Sequence, residues 1–251
     1  MVVIHSNLIT PVFVHRSQRR LRCNSFYDAF AKCTLNPKHV RASKDLHSHG
    51  AVADQFNLRF NMKGIIFQEF VAMVETKFSL EVADSMMTSS MLETGGAYTC
   101  VGTYAHSELT EMVKHLSEAT GVSTATLVQS FGEYLFNSLT QRYPHHIQSV
   151  TSTYALLGVL DNKIHVDVKK LYPEAELPTF KTLHLDLDSD PAVMVIQYRS
   201  SRPFADLAQG MLCGAIKHFN ESISVTRQDF SCEQGAHTHF TLNKFSHADA
   251  G

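Results

Sequence analysis

The segment from Tyr198 to Pro203 carries the residue types with the clearest chemistry in the chain. Tyr198, Ser200 and Arg202, called here the clamp residues, are spaced by two. In an extended chain this spacing places their side chains on one face, and Pro203 disfavours the helical region at Arg202. A guanidinium binds a carboxylate through two parallel hydrogen bonds, and a phenol and a hydroxyl add neutral donors. The segment therefore predicts a site for a ligand with carboxylates, with the polar outer face of a strand as the alternative.

A second candidate is His165, which lies with Ile164 and Val168 near one face of a predicted helix. A lone His in such a position is usually a core residue bonded to a carbonyl. Imidazole is nevertheless a common axial ligand of haem iron. An imidazole and a carboxylate clamp match two ends of one molecule, haem, whose iron would take the imidazole and whose propionates would take the clamp.

Cys232, His237 and His239 form a third group, with residue types that bind zinc. If 236–245 is a strand, the two His side chains point the same way and Cys232 lies across a turn. Structural zinc takes four ligands, and a fourth is missing nearby. The group predicts, as an alternative function, a zinc-binding structural or regulatory module. A second alternative is a small enzyme that uses Arg202 as a carboxylate site without haem.

Helical periodicity dominates the chain before these sites. Apolar residues recur at intervals of three and four, and Ser and Gly residues mark the helix ends. The pattern predicts helices over 63–77, from Ser79 to about Met87, from Ser107 to just before Gly121, from Ser123 to Tyr143, over 147–160 and over 161–171.

After Pro178 the period of the pattern changes to two. Leu183, Leu185 and Leu187 alternate with polar residues, which predicts a half-buried strand. The remaining predicted elements are strands over 192–200, 222–230 and 236–245 and a helix that begins after Pro203. Helices followed by antiparallel hairpins, with a helix between them, indicate the α+β class.

Charge is distributed unevenly along the 251 residues. Residues 1–61 hold nine Lys and Arg against three Asp, a net charge of +6, whereas the rest hold thirteen basic and twenty-one acidic groups, a net charge of −8. At Met62-Lys63-Gly64 a polar stretch gives way to an apolar helical pattern. We therefore expect a basic extension over 1–61, disordered or the result of a mis-assigned start. One folded domain over 62–245 and a tail over 246–251 follow.

Composition and motifs exclude several classes of function. No stretch approaches eighteen uninterrupted apolar residues, so no membrane span is expected, and the acidic domain lacks the basic run of a nucleic-acid-binding surface. The sequence contains no Gly-rich phosphate loop, no G-x-S-x-G and no H-E-x-x-H motif. Its five cysteines are scattered, which fits a reducing cytoplasm rather than a disulfide framework.

Taken together, these residues resemble the haem-nitric oxide/oxygen-binding (H-NOX) domain, the sensor domain of soluble guanylate cyclases and their bacterial relatives. The resemblance rests on Met62, Lys63, Gly64, Ile164, His165, Tyr172, Pro173, Pro178, Tyr198, Ser200 and Arg202, in the family's order and spacing. It covers about 62–245. It implies haem b between a helical N-terminal subdomain and a C-terminal subdomain with an antiparallel sheet.

The resemblance also implies roles for individual residues. His165 would be the proximal ligand of the haem iron, and the clamp residues would bind the propionates. Pro178 matches a proline that presses on the porphyrin and distorts it. Ile66 matches a residue that packs against the haem from the N-terminal helices.

Gas selectivity follows, by the same resemblance, from Leu207. Oxygen-binding relatives carry a Tyr five residues beyond the Arg of the motif, and this chain has Leu207 there. Without a hydroxyl donor, bound dioxygen lacks its hydrogen bond, whereas nitric oxide and carbon monoxide depend less on one. Leu207 also fits a core position on its predicted helix.

The function implied is a non-enzymatic, cytoplasmic haem sensor for nitric oxide. Because no kinase, cyclase or c-di-GMP domain fits in the remaining residues, we expect the sensor to act on a separate partner, a histidine kinase or a diguanylate cyclase or phosphodiesterase. Nitric oxide would weaken or break the His165–iron bond. The haem would then relax and one subdomain would move against the other.

Overall fold

The computed structural model of the protein describes residues 61–232 and 235–246. The predicted basic extension therefore lies outside the described residues except for Asn61, and the predicted tail lies outside them except for Ser246. Helices come first and an antiparallel sheet follows, which confirms the α+β class. Within the described part of the chain, every helix is too short or too polar to cross a membrane.

The N-terminal half is mainly helical. Its elements are strand β1 (Asn61–Lys63), helix α1 (Gly64–Lys77), helix α2 (Leu80–Ser89), strand β2 (Thr103–Ala105), helix α3 (His106–Thr120) and helix α4 (Thr124–Arg142). β1 pairs antiparallel with β2. The helices enclose a core centred on Phe67, Phe70 and Phe131. Burying one such side chain contributes about 1.5–3 kcal/mol to the free energy of unfolding, so apolar packing is a main source of stability in this half.

Local caps set three of these helix ends. The Ser79 hydroxyl accepts the N–H of Val82, and the Ser123 hydroxyl accepts that of Thr126. Gly121 ends α3 with φ of 70°, in the left-handed region that favours Gly. The prediction that Ser107 opens α3 is wrong, because the helix begins at His106 without a side-chain cap.

The C-terminal half carries the main sheet. Its elements are a 3₁₀ turn (Pro144–His146), helix α5 (Thr153–Val159), a π-helical turn (Leu160–Ile164), helix α6 (His165–Leu171), strand β3 (Thr179–Asp186), strand β4 (Ala192–Ser200), helix α7 (Ala205–His218), strand β5 (Ile223–Asp229) and strand β6 (Ala236–Lys244). The predicted helix over 147–160 is wrong for its first part. A turn occupies 147–149, residues 150 and 151 are irregular, and α5 starts only after Ser152, whose hydroxyl accepts the N–H of Ala155.

Strands β3, β4, β6 and β5 lie in that order, each antiparallel to its neighbour. β4 and β6 supply the buried face under the helices. The predicted half-buried strand forms as β3, which ends at Asp186, but the prediction of its burial is wrong, since Leu183, Leu185 and Leu187 are 43%, 47% and 60% exposed. β3 is an edge strand, and an irregularity between Thr182 and His184 shifts its register, so alternation does not bring these leucines under the helices.

Helix α7 joins the two halves. Leu207 and Met211 pack against the N-terminal core, whereas Leu212 packs against the sheet. α4 and α7 approach closely at two glycines: a Cβ on Gly132 would lie 2.3 Å from the Leu207 carbonyl oxygen, and one on Gly210 would lie 2.0 Å from that of Gln129. Any larger residue at these positions would push the two helices apart.

Candidate functional site

Arg202 is the charged member of the clamp residues, and its side chain is buried. It follows the end of β4, 7% of its surface is exposed, and its terminal nitrogens donate hydrogen bonds to the backbone carbonyls of Asn61 and Glu176. Burial lowers the pKa of the guanidinium, opposed by Tyr198 and Glu176. Within the described residues, no carboxylate forms an ion pair with it. A buried cation held by neutral carbonyls is suited to a carboxylate supplied by a ligand.

Tyr198 and Ser200 extend this polar row along β4. The Tyr198 side chain lies on the buried face of the sheet and bonds to the Ser200 side chain, and burial raises the pKa of its phenol against the opposing effects of Ser200 and Arg202. The Ser200 hydroxyl accepts the N–H of Arg202 at 3.1 Å. The structure thus brings the three clamp residues together in one connected row, as the spacing predicts.

His165 begins helix α6, directly after the π-helical turn. Its Nδ1 lies 2.8 Å from Oδ1 of Asp161, and 18% of its side chain is exposed. Burial lowers the pKa of the imidazole, an effect that Asp161 partly opposes. Because the ordinary pKa of His is about 6.5, a lowered value leaves the ring neutral at neutral pH. A neutral ring with Nδ1 engaged offers Nε2 as the nitrogen for a metal.

Phe180 connects the imidazole to the clamp. Its ring centroid lies 6.1 Å from that of His165 and 5.3 Å from that of Tyr198. In the sheet, Phe180 on β3 is paired with Tyr198 on β4. The His165 imidazole and the clamp residue Tyr198, predicted from separate stretches of sequence, therefore both lie next to the Phe180 ring.

Sequence reasoning did not single out Asp161 or Phe180. The two carboxylate oxygens of Asp161 contact different groups. Oδ1 lies 2.8 Å from Nδ1 of His165, and Oδ2 accepts the N–H of Phe180 at 2.6 Å. Its position four residues before His165 is a signal that could have identified it, since residues so spaced lie near one another on a helix. Phe180 carries no comparable local signal.

The remaining predicted residues are all half-buried. Pro178 lies immediately before β3. Ile66 on α1 and Leu207 on α7 both pack against the N-terminal core. The polar candidates thus come from the C-terminal half, whereas Ile66 and Leu207 contact the N-terminal core.

The group predicted for zinc does not assemble into a metal site. His237 and His239 do point the same way, with Nε2 atoms 3.1 and 3.3 Å from the Gln197 amide nitrogen. Within residues 61–232 and 235–246, however, no three His, Cys, Asp or Glu side chains are arranged to hold a metal ion. The structure therefore gives the zinc alternative no support.

Comparison with known proteins decides the family. The model of the haem-NO-binding (HNOB) family matches residues 63–227. The chain belongs to this family. H-NOX domains are haem-based gas sensors rather than enzymes, and the predicted resemblance is confirmed.

Solved H-NOX structures share the fold. The unliganded Fe(II) protein from K. algicida is 35% identical, with a TM-score of 0.67 over 74% of this chain and 98% of that one. The Fe(II)CO protein from Shewanella woodyi is 34% identical, with a TM-score of 0.62 over 76% and 97% of the two chains. The Fe(II)NO protein from S. oneidensis is 26% identical, with a TM-score of 0.65 over 74% and 100%. No curated protein matches significantly.

The donor groups present fit the cofactor of an H-NOX protein. Haem iron takes an axial ligand, commonly an imidazole, and the two propionates take cations or hydrogen-bond donors. The structure has an imidazole in His165 and a buried guanidinium in Arg202 that donates to two backbone carbonyls. These donor groups fit haem.

Proposed function

We propose that this chain is a haem-based nitric oxide sensor that signals to a separate protein. The observation that carries the proposal is the arrangement around Phe180: a neutral imidazole on one side and, through Tyr198, a buried guanidinium with only carbonyl partners among the described residues. A buried charge of this kind is costly unless a counter-charge arrives. A ligand with an imidazole-binding centre and carboxylates satisfies both ends.

In this proposal each residue has a defined role. Nε2 of His165 is the proximal ligand, and Arg202, Ser200 and Tyr198 bind the propionates. Pro178 and Ile66 pack against the porphyrin. The proposed cofactor is haem b, as the resemblance to the H-NOX family implies. The bound haem supplies a ferrous iron that takes the gas.

Gas choice is assigned to Leu207. Its side chain is half-buried among apolar residues of the N-terminal core and has no hydrogen-bond donor. A gas such as dioxygen, which gains from a donor near its outer atom, is disfavoured there, while nitric oxide and carbon monoxide are not. The relatives from S. oneidensis and Shewanella woodyi were solved in the Fe(II)NO and Fe(II)CO states, which supports these two gases as ligands.

The signal is proposed to start at His165. Because this residue begins α6 and bonds to Asp161, release of its imidazole when nitric oxide binds would change the position of α6 relative to the sheet. Since H-NOX domains are not enzymes, the output requires a catalytic partner. We propose a histidine kinase, or a diguanylate cyclase or phosphodiesterase, and a cytoplasmic location.

The visible absorption spectrum of the purified protein tests this function. A Soret band that shifts when carbon monoxide or nitric oxide is added to the ferrous protein is expected. A colourless protein that takes up no haem on reconstitution would refute it. A colourless protein that instead binds zinc would support the alternative module.

A further inference from the structure

The Asp161 carboxylate lies between the His165 imidazole and strand β3. Its Oδ1 is 2.8 Å from Nδ1 of His165, and its Oδ2 accepts the backbone N–H of Phe180 at 2.6 Å. Both oxygens are thus used by groups from different elements. We propose that Asp161 is a positioning residue that fixes the His165 imidazole and couples it to β3. This inference rests on the proposed function, in which His165 is the iron ligand.

The first part of the proposal follows from hydrogen-bond chemistry. An ionised carboxylate can only accept hydrogen bonds. With a carboxylate oxygen 2.8 Å away, Nδ1 carries the ring proton and donates it, which leaves the lone pair on Nε2. A carboxylate partner also makes an imidazole a stronger electron donor to a metal and restricts rotation of the ring. Asp161 accordingly sets the tautomer, the orientation and the donor strength of His165.

The second part follows from the local fold. Asp161 lies in the π-helical turn Leu160–Ile164, which ends where His165 begins α6. The other end of the contact is the backbone of Phe180, whose partner in the sheet is the clamp residue Tyr198. A hydrogen bond to a charged group is roughly twice as strong as a neutral one. Displacement of the imidazole is therefore transmitted through Asp161 to the strand beside the clamp.

Asp161→Asn is the test variant because it keeps the shape of the side chain and removes its charge. The Asn oxygen can accept from one N–H, but its amide nitrogen would face the other donor. Asp167→Asn is the matched control. Asp167 lies on α6 two residues after His165 and pairs with Lys170 at 2.8 Å, so the same charge is lost without a contact to the imidazole.

One measurement uses the haem-free protein. Hydrogen exchange of the Phe180 amide should be about tenfold faster or more in Asp161→Ala, which removes both acceptor oxygens, since a bond to a charged acceptor is lost. It should be unchanged in Asp167→Ala. Equal exchange rates in wild type and Asp161→Ala would overturn the coupling to β3.

The other measurements use the haem-loaded protein. In the ferrous state the iron–His stretching frequency, measured by resonance Raman spectroscopy, should fall in Asp161→Asn, and the reduction potential should rise, because the imidazole donates less charge to the iron. Asp161→Glu keeps the carboxylate and should return both values toward wild type. A frequency and potential in Asp161→Asn equal to those of Asp167→Asn would overturn the role at His165.

The two proposals fail in different ways. If wild-type protein shows no iron–His band, the assignment of His165 is wrong, and so is the proposed function built on it. If the wild-type band is present but insensitive to Asp161→Asn, only the positioning role is wrong. Should Asp161→Asn take up no haem, Asp161→Ala replaces it: a lower iron–His frequency there supports the role, and a frequency equal to that of Asp167→Asn contradicts it.

Discussion

The imidazole end and the clamp end of the proposed haem site are built from different kinds of contact. His165 meets a carboxylate four residues earlier in the chain, at 2.8 Å. Arg202 meets two neutral backbone carbonyls, those of Asn61 and Glu176, which lie 141 and 26 residues away. One end is local and charge-assisted, and the other is assembled by the tertiary fold from neutral acceptors.

This difference predicts how each end responds to the cofactor. The imidazole already has Nδ1 engaged and Nε2 left for iron, so it requires little rearrangement. The guanidinium has five N–H donors and uses two of them on carbonyls, so a propionate can take the other donors or compete for these two. Because a carboxylate is the stronger acceptor, we expect haem binding to reorganise the clamp end and to leave the imidazole end in place.

Removing the imidazole should have the largest effect. His165→Gly is expected to abolish the bond between protein and iron, and added imidazole should restore the ferrous absorption spectrum by filling the space left by the side chain. His115→Gly, which also replaces a helical His, should leave the spectrum unchanged. An unaltered ferrous spectrum of His165→Gly without imidazole would show that another residue is the ligand.

Changes at the clamp should have a smaller and graded effect. Arg202→Ala is expected to speed haem loss to an acceptor apoprotein by about tenfold or more, and Ser200→Ala by a few-fold, since hydrogen bonds to charged groups are the stronger. Arg199→Ala is the control, because Arg199 is exposed and donates to Gln197 within its own strand. The reverse ranking of Arg202 and Ser200 would contradict the clamp assignment.

A change on the apolar side should alter gas choice and little else. The wild-type ferrous protein is expected to bind nitric oxide and carbon monoxide in air-saturated buffer without a stable oxygen complex. Leu207→Tyr should form at least a transient oxygen complex, visible by stopped-flow absorbance, whereas Leu207→Phe, with the ring but no hydroxyl, should not. A stable oxygen complex of the wild type would mean that another donor faces the iron.

Shortening the chain should have the smallest effect, and it tests how much the Asn61 carbonyl contributes to the clamp end. A chain that begins at Asn61 is expected to bind haem as the full chain does. A chain that begins at Met62 loses the Asn61 carbonyl that accepts from the Arg202 guanidinium, a bond from a charged donor worth about 1.5–3 kcal/mol. Its melting temperature should be slightly lower, and it should still bind haem. Failure of both chains to fold would show that residues 1–60 are required.

Much of the fold could be predicted because its determinants are local. Ser79 and Ser123 cap the helices that they were expected to cap, and Gly121 ends its helix, since each acts on backbone groups within a few residues. The predicted helix over 147–160 is wrong at its start, and the cause is also local. Apolar residues suggested a helix from Ile147, but a turn and irregular residues precede Ser152, which caps the helix that actually forms.

Burial on β3 was not predictable by the same means. The alternation of Leu183, Leu185 and Leu187 correctly indicates a strand, but period two does not distinguish an edge strand from a central one. Their exposure depends on the position of β3 at the edge of the sheet, which is fixed by the pairing of β4 with β6.

The sequence by itself determined the α+β class, the membership of the H-NOX family and the joining of Tyr198, Ser200 and Arg202 in one row, because spacing along an extended strand sets direction. Only the tertiary structure decided that Arg202 is held by the Asn61 and Glu176 carbonyls, and that Asp161 reaches Phe180. Backbone carbonyls and N–H groups are present at every residue and carry no signal in the sequence. Their partners become known only when the chain has brought distant segments together.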